Sequence, residues 1–479
     1  MYITNKKYLV EYGLFFLVAL FLLARPIGDM DEIWNYNFGF NICNGLQPYS
    51  DFNCIVTPLS AYISSLFLSV FGNSLFTFRI TGILLLATTF YVLFLLLHSC
   101  SRNRILAFTC TSFAFALCYL VWIYNYNNLN LLLILFALYL ELKIDQRGQN
   151  TPTIFCFMIG LTYGAVFLIK QSVGALLLVY NGIVCLITWF TLTDQRSHSV
   201  LRLVSSLILP LFFSTYLVIS GSFSGFWDYA VAGIGTFSHK ITYWEFISTS
   251  FINLLIGLFP IIITIFSVVA IIKGTSNVSR KFHVLALLIS WIGLSVAYPL
   301  CDYIHMCIGV VPFAVCAFCC FKPPRLKRWE HIVCAIVSIV ILLSIGATEV
   351  KVTDKYKICE LNHFEGLVIE KDLEKQLESV GRFIREKENA GVDVLMADSY
   401  AAAYLLPLDK YYKDFSLLNR GNLGTQSVSD LLWREDAVYL VNSDITALNQ
   451  QSHFELIEYI LTNYKKTGEV LGFDVYETQ

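Results

Sequence analysis

The stretch LFTFRITGILLLATTFYVLFLLLH, residues 75–98, decides the fold class. A helix needs about 20 mostly apolar residues to cross the hydrocarbon core of a bilayer, and this run exceeds that with Arg79 as its one strongly charged residue. The same signal recurs along the chain. Apolar runs lie near Leu9–Ala24, Ile105–Trp122, Leu129–Leu142, Ile154–Ile169, Val173–Thr191, Leu201–Ser220, Phe251–Ile272, Val284–Tyr298, Ile304–Phe321 and Ile332–Ile345. With Leu75–His98 they make eleven expected spans. The whole-chain composition agrees: 56% of the 479 residues are hydrophobic and 14% charged, where a soluble chain carries about 25% charged residues. The expected fold is therefore a polytopic α-helical membrane protein, with the bilayer as solvent and no nucleic-acid partner.

Charge divides the chain. From Val350 to Gln479 there are 22 acidic and 14 basic residues, a net of −8, while the preceding part is net +6. This break places a domain boundary near 346: a transmembrane domain over 1–346, with its first outer loop at 25–74, and a soluble domain over 347–479. The tail alternates strand and helix patterns, as in a small α/β domain. Helical patterns run over Asn362–Asn389, around Ser427–Trp433 and over Phe454–Tyr464. Strand patterns run over Val392–Met396, Ala437–Val441 and Phe473–Tyr476.

Lys and Arg set the orientation. With the N-terminus inside, the inner loops hold Lys6, Lys7, Arg102, Arg104, Lys143, Arg147, Arg196, Arg202, Lys273, Arg280, Lys281, Lys322, Arg325, Lys327 and Arg328; the outer ones hold little beyond Arg25, Lys170 and Lys240. An odd number of spans then puts the tail outside, as expected of a multi-pass protein of the cell membrane with an extracytoplasmic C-terminal domain. Leu9–Ala24 follows Lys6-Lys7 as a signal peptide would, but Arg25-Pro26 comes next with no small-residue cleavage site, so it is read as a retained anchor. Most of the 14 cysteines lie in apolar runs as small hydrophobes. Cys43 and Cys54 share a loop, and whether they are bridged is left open.

The first outer loop carries the chemistry. It reads Gly28-Asp29-Met30-Asp31-Glu32-Ile33-Trp34-Asn35-Tyr36, continues through Phe38, Gly39, Phe40 and Gly45 to Pro48-Tyr49-Ser50-Asp51-Phe52, and then reaches Thr57-Pro58-Leu59. Three carboxylates within four residues suit a solvated loop. The aromatics that follow suit a loop folded against the membrane surface.

This layout resembles the GT-C superfamily of membrane glycosyltransferases. It is similar to the protein O-mannosyltransferase and aminoarabinose-transferase groups, and to the RgtA/B/C/D-like group. In these, an acidic pair in the first outer loop, here Asp31-Glu32, precedes a proline element, here Thr57-Pro58-Leu59, with Thr57 where the family usually has a first proline. A glycine-to-arginine entry into the second span follows, here Phe71-Gly72-Asn73-Ser74-Leu75-Phe76-Thr77-Phe78-Arg79. The resemblance implies transfer of a sugar from a polyprenyl-phosphate donor to a glycan, lipid or protein acceptor. It implies no certain cofactor and leaves a divalent metal open.

Such a reaction needs a base for the acceptor hydroxyl, and an Asp at the membrane face can serve. Asp31 is the first choice, Asp29 the competitor and Glu32 the third catalytic candidate. Positive charge is needed near the departing phosphate. The candidate substrate-binding residues are Asp51, Arg79, Lys170, Asp302 and His305. Lys170 sits in a tight turn between two apolar runs, where a charge is either functional or a snorkelling helix end. Asp302 and His305 share a helix face, as a polar cluster closing the site or as an end cap. The main alternative function is a lipid or polysaccharide transporter or flippase. That reading explains many spans but not the acidic aromatic loop or the large tail, and neither internal repeats nor broken helices are evident. A non-enzymatic scaffold is disfavoured by the clustering of Asp29, Asp31, Glu32, Asp51 and Lys170 on one side.

Overall fold

Helices occupy all eleven positions where the apolar runs lie. The computed structural model describes residues 8–52, 54–148, 151–192, 195–232, 241–321, 327–349, 353–398, 400–410, 437–443 and 454–477. Lys6, Lys7, Lys240, Lys322, Arg325 and the helix expected around Ser427–Trp433 lie outside the described residues. Among the described residues, eight helices are long and apolar enough to cross a membrane: Leu75–Ser101, Tyr126–Arg147, Gln171–Thr191, Arg196–Ile219, Phe251–Lys273, Arg280–Ala297, Tyr303–Cys320 and Arg328–Ala347. The other three positions hold shorter apolar helices, Leu9–Ala24, Arg104–Tyr119 and Thr153–Phe167.

The polar breaks between these helices are caps. Asn103 accepts from Leu106 N, Asn125 from Asn128 N, Ser250 from Asn253 N and Ser279 from Phe282 N. Each satisfies one backbone donor that a helix start leaves orphaned, which in hydrocarbon has no water to turn to. At the other end of Phe251–Lys273, Gly274 closes the helix in the left-handed region at φ 66°.

The chain packs as two compact units, each discontinuous in sequence. The first comprises Met1–Leu22, Gly82–Tyr216 and Lys240–Glu349; the second comprises Leu23–Thr81, Leu217–His239 and Val350–Gln479. The first unit is a helical assembly whose outer helices present apolar side chains: Ile332, Val333, Ile336, Val340 and Leu343 are all exposed along Arg328–Ala347, as suits lipid contact. Within it, Thr153–Phe167 lies against Arg196–Ile219 with almost no gap. A methyl group added at Gly160 would collide with Ser205 Oγ and the Arg202 carbonyl, and one at Gly164 with the Ser206 carbonyl. Small residues let membrane helices touch through their backbones.

In the second unit, helices Met30–Cys43 and Leu59–Phe71 lie within the first outer segment, and two sheets come from the tail. Strands β1 (Tyr356–Ile358) and β2 (Val368–Glu370) form an antiparallel pair. Strands β3 (Val394–Ala397), β4 (Val438–Asn442), β5 (Lys465–Val470) and β6 (Phe473–Glu477) form a four-stranded sheet in the order β3-β4-β6-β5, with β3 and β4 parallel and the rest antiparallel. Helix Lys371–Asn389 buries Leu377, Val380, Gly381 and Ile384 along one face, the 3–4 spacing of an amphipathic helix. Leu395, Tyr439, Val441, Ile460 and Tyr476 build the sheet's core with Phe454–Asn463. Ile27 N donates to Val368 O at 2.8 Å and Leu75 N to His363 O at 2.8 Å, so the first outer segment and the tail belong to one folded body. Composition alone separates them.

Candidate active site

The acidic segment of the second unit turns helical at Met30, and that sets the role of each carboxylate. Asp29 is the N-cap: its Oδ1 accepts from Glu32 N at 3.1 Å. Desolvation, then the neighbouring Glu32 charge, hold its carboxyl above the usual range, against the lowering effect of its backbone hydrogen bond to Glu32. Asp31 falls in the first turn, half-buried, and its carbonyl accepts from Asn35 Nδ2 at 2.8 Å. Glu32 points inward and is 3% exposed. Arg79 meets it with a two-pronged fork, Nε to Oε1 at 2.7 Å and Nη2 to Oε2 at 2.7 Å. Arg79 also donates from Nη1 to the Arg25 carbonyl. Bidentate pairs of this kind are the strong form of the charged hydrogen bond.

Arg79, a candidate for the donor phosphate, and Glu32, a candidate catalytic carboxylate, are thus paired with each other out of water. Asp51, expected to bind substrate, is built into a turn. Its Oδ2 accepts from Gln47 N at 2.8 Å and its Oδ1 from Ser50 Oγ at 3.1 Å. The turn is held further by Tyr49 N donating to Phe52 O at 2.9 Å and by Tyr49 in the left-handed region at φ 69°. Cys43 and Cys54 are free thiols.

The first unit holds a second polar constellation. Lys170 caps the start of Gln171–Thr191 and is 7% exposed. Its Nζ donates to Asn127 Oδ1 at 2.9 Å and to the Val296 carbonyl at 2.8 Å, and lies 5.5 Å from the centre of the Tyr126 ring. Asn127 Nδ2 lies 3.1 Å from His305 Nε2, and His305 Nδ1 lies 2.7 Å from Asp302 Oδ1. Asp302 also caps Tyr303–Val310 through His305 N at 2.9 Å. Burial pushes the Lys170 ammonium down to about 7, opposed by the charge of Asp302. For Asp302, burial raises the carboxyl, but the hydrogen bonds and charge of His305 outweigh it and leave it below the usual range.

No protein-family model matches the chain, and no curated protein matches it either. Solved structures do. ArnT from Cupriavidus metallidurans bound to undecaprenyl phosphate aligns over 99% of this chain and 98% of its own, with a TM-score of 0.56 at 11% identity. The same protein in the apo state aligns over 98% of both chains, with a TM-score of 0.60 at 12% identity. The chain shares the fold of these ArnT structures.

Within this fold, Lys170, Asp302 and His305 come together as one network, through Asn127, which the sequence reading passed over. The signal available was the run Asn125-Tyr126-Asn127-Asn128 between two apolar stretches, whose amides read only as a helix cap. Glu141 and Arg202 form a further buried pair in the first unit, at 2.6 Å, with Asn181 Oδ1 accepting from Arg202 Nε at 2.5 Å and Tyr163 OH donating to Glu141 at 3.2 Å. They line a cavity of about 480 Å³ together with Asp145, His198 and Lys281. Among the described residues, no group of three His, Cys, Asp or Glu side chains is placed to hold a metal.

Proposed function

We propose that this chain is a membrane glycosyltransferase that moves a sugar from a polyprenyl-phosphate donor to an acceptor hydroxyl on the outer membrane face. The observation that carries the reading is the alignment with ArnT over nearly the whole of both chains, one of those ArnT structures being bound to undecaprenyl phosphate. In the proposed reaction a carboxylate takes the acceptor's hydroxyl proton. The freed oxygen attacks the anomeric carbon, and the bond from that carbon to the phosphate oxygen breaks. The polyprenyl phosphate leaves with the bonding pair, so no strong general acid is required.

Asp31 is assigned the base. Glu32 is closed on Arg79 and Asp29 caps the helix; Asp31, half-buried in the first turn, is the first residue of the acidic pair that resembles the GT-C pattern. Asp29 is the alternative, since its raised carboxyl suits proton uptake. The Glu32–Arg79 pair is assigned a positioning role, fixing the turn that carries Asp31. Lys170 is assigned to the donor phosphate, because a buried cation with hydrogen-bonding capacity suits an anion. The acceptor class is a lipid-linked glycan, a wall polymer or a protein.

The test is transfer from a synthetic polyprenyl-phosphate sugar by purified protein in nanodiscs. Asp31→Asn should lower the rate about 100- to 10,000-fold, the usual span for general-base catalysis, while the protein still inserts and folds. Asp29→Asn should fall less. A normal rate for Asp31→Asn sinks the assignment, and loss confined to Asp29→Asn moves the base to Asp29. Movement of the intact lipid across the bilayer with no bond cleavage would favour a flippase instead.

A further inference from the structure

The chain Lys170–Asn127–His305–Asp302 has a direction that its chemistry fixes. A charged lysine only donates, so the Asn127 atom facing it must be the acceptor Oδ1. The other end of the amide, Nδ2, only donates, so His305 Nε2 must accept from it. A ring nitrogen that accepts carries no proton. The imidazole is then neutral, with its proton on Nδ1, where it donates to Asp302 Oδ1.

One rearrangement reverses the whole chain. If Lys170 is neutral, its amine can accept from a flipped Asn127 amide. Oδ1 then faces His305, which must carry protons on both nitrogens to donate to Asn127 and to Asp302. Both states hold the same number of protons. A state with both Lys170 and His305 charged would set one of these donors against the amide's own Nδ2 donor, in a side chain that is 3% exposed. The charged groups of the network are Asp302 and Lys170. Among the described residues, the phenols and thiols of the adjoining segments include Cys301, Tyr303 and Cys307 on the segment of His305 itself, Cys118 on Arg104–Tyr119, Tyr126 on Tyr126–Arg147 and Tyr243 on Tyr243–Thr249. All are ordinarily neutral near pH 7.

We propose that Asn127 is a positioning residue that makes the protonation of Lys170 and of His305 mutually exclusive, so that the network holds one cation and can present it at Lys170. Lys170 makes two donor contacts among the described residues, which leaves its third N–H for an anion. The coupling rests on geometry; its use in holding a polyprenyl monophosphate rests on the function proposed above.

The test is the protonation of the His305 ring, read by nitrogen NMR on the full chain in nanodiscs with labelled histidine, the signal assigned by its loss in His305→Gln. At neutral pH the parent protein should show a bare Nε2 and a protonated Nδ1. Asn127→Asp keeps the shape but accepts at both ends, so His305 should become protonated on both nitrogens while Lys170 stays charged. A parent His305 with its proton on Nε2, or an Asn127→Asp ring unchanged from the parent, overturns the proposal. Undecaprenyl phosphate binding is measured on the same samples. Asn127→Leu should weaken it on the order of tenfold, the scale of one charged hydrogen bond. If the ring behaves as described but that affinity is unchanged, the coupling stands and the assignment of Lys170 to a phosphate falls.

Discussion

Replacing Arg79 with methionine should destabilise the protein far more than an ordinary substitution in an apolar helix. The Arg79 and Glu32 side chains are 4% and 5% exposed and bonded at two points, each 2.7 Å. Removing one member leaves a charge buried without its partner, which costs about 3–5 kcal/mol in comparable pairs. Arg79→Met also leaves the Arg25 carbonyl without this donor. Glu32→Gln should cost a similar amount, because a neutral amide cannot match both prongs of the guanidinium. Combining the two substitutions removes both charges, so the double variant should lose about 2 kcal/mol less than the singles together, the scale of coupling between directly contacting groups. Denaturant titration in mild micelles, followed by tryptophan fluorescence, gives all three values against the parent. Singles within about 0.5 kcal/mol of the parent, the range of plain surface changes, would refute the reasoning. Strict additivity would show that the pair is not coupled.

Other outcomes can be checked independently. Because burial holds the Lys170 ammonium near 7 against about 10.4 in an unfolded chain, the unfolded state binds the extra proton between those values. The folded protein should therefore gain stability as pH rises through that window, by on the order of 1–3 kcal/mol between pH 7 and 9.5; in Lys170→Met this gain should vanish, and an unchanged pH slope would count against a buried amine. His363 bridges Asn73 O at 2.7 Å and Asp409 Oδ1 at 2.5 Å, so His363→Leu should raise amide exchange at Leu75 and across β1 and β2, reflecting a local loss of about 1–3 kcal/mol; unaltered exchange there would show the bridge to be dispensable. Lys375 is exposed on its helix, and if the Lys and Arg bias read from the sequence sets the topology, Lys375→Cys in intact cells should react with a membrane-impermeant maleimide; reaction only after permeabilisation would reverse that topology.

The helical skeleton was legible because hydropathy acts locally: a run such as Phe251–Ile272 has no other solvent to fold in. Strand β5, Lys465–Val470, was not foreseen, because KKTGEV lies at the sheet's edge, largely exposed, with no apolar alternation to announce it. The helix expected from Asn362 begins at Lys371 because Val368–Glu370 pairs with Tyr356–Ile358 instead, a non-local choice. The candidate site shows the same limit more sharply. Asp29, Asp31, Glu32, Arg79, Lys170, Asp302 and His305 could each be picked out by residue type. That Glu32 takes Arg79 from 47 residues away, or that Asn127 sits between Lys170 and His305, is a fact of packing that no spacing rule contains.

The near contact of Thr153–Phe167 with Arg196–Ile219 bears on the kind of membrane this protein suits. At 15 residues, Thr153–Phe167 is about 23 Å long, several ångströms short of a typical hydrocarbon core of about 30 Å. Arg104–Tyr119, at 16 residues, is scarcely longer. Glycines at 160 and 164 clamp the first of these to its 24-residue neighbour, which limits sliding, and tilting would only shorten its reach along the bilayer normal. The lipids must yield instead, thinning around this side of the protein at a fraction of a kcal/mol per ångström. Short-chain or fluid lipids would meet that demand readily, whereas thick, ordered bilayers would resist it. Acyl-chain length in the host membrane therefore becomes a variable that bears directly on how well this fold is held.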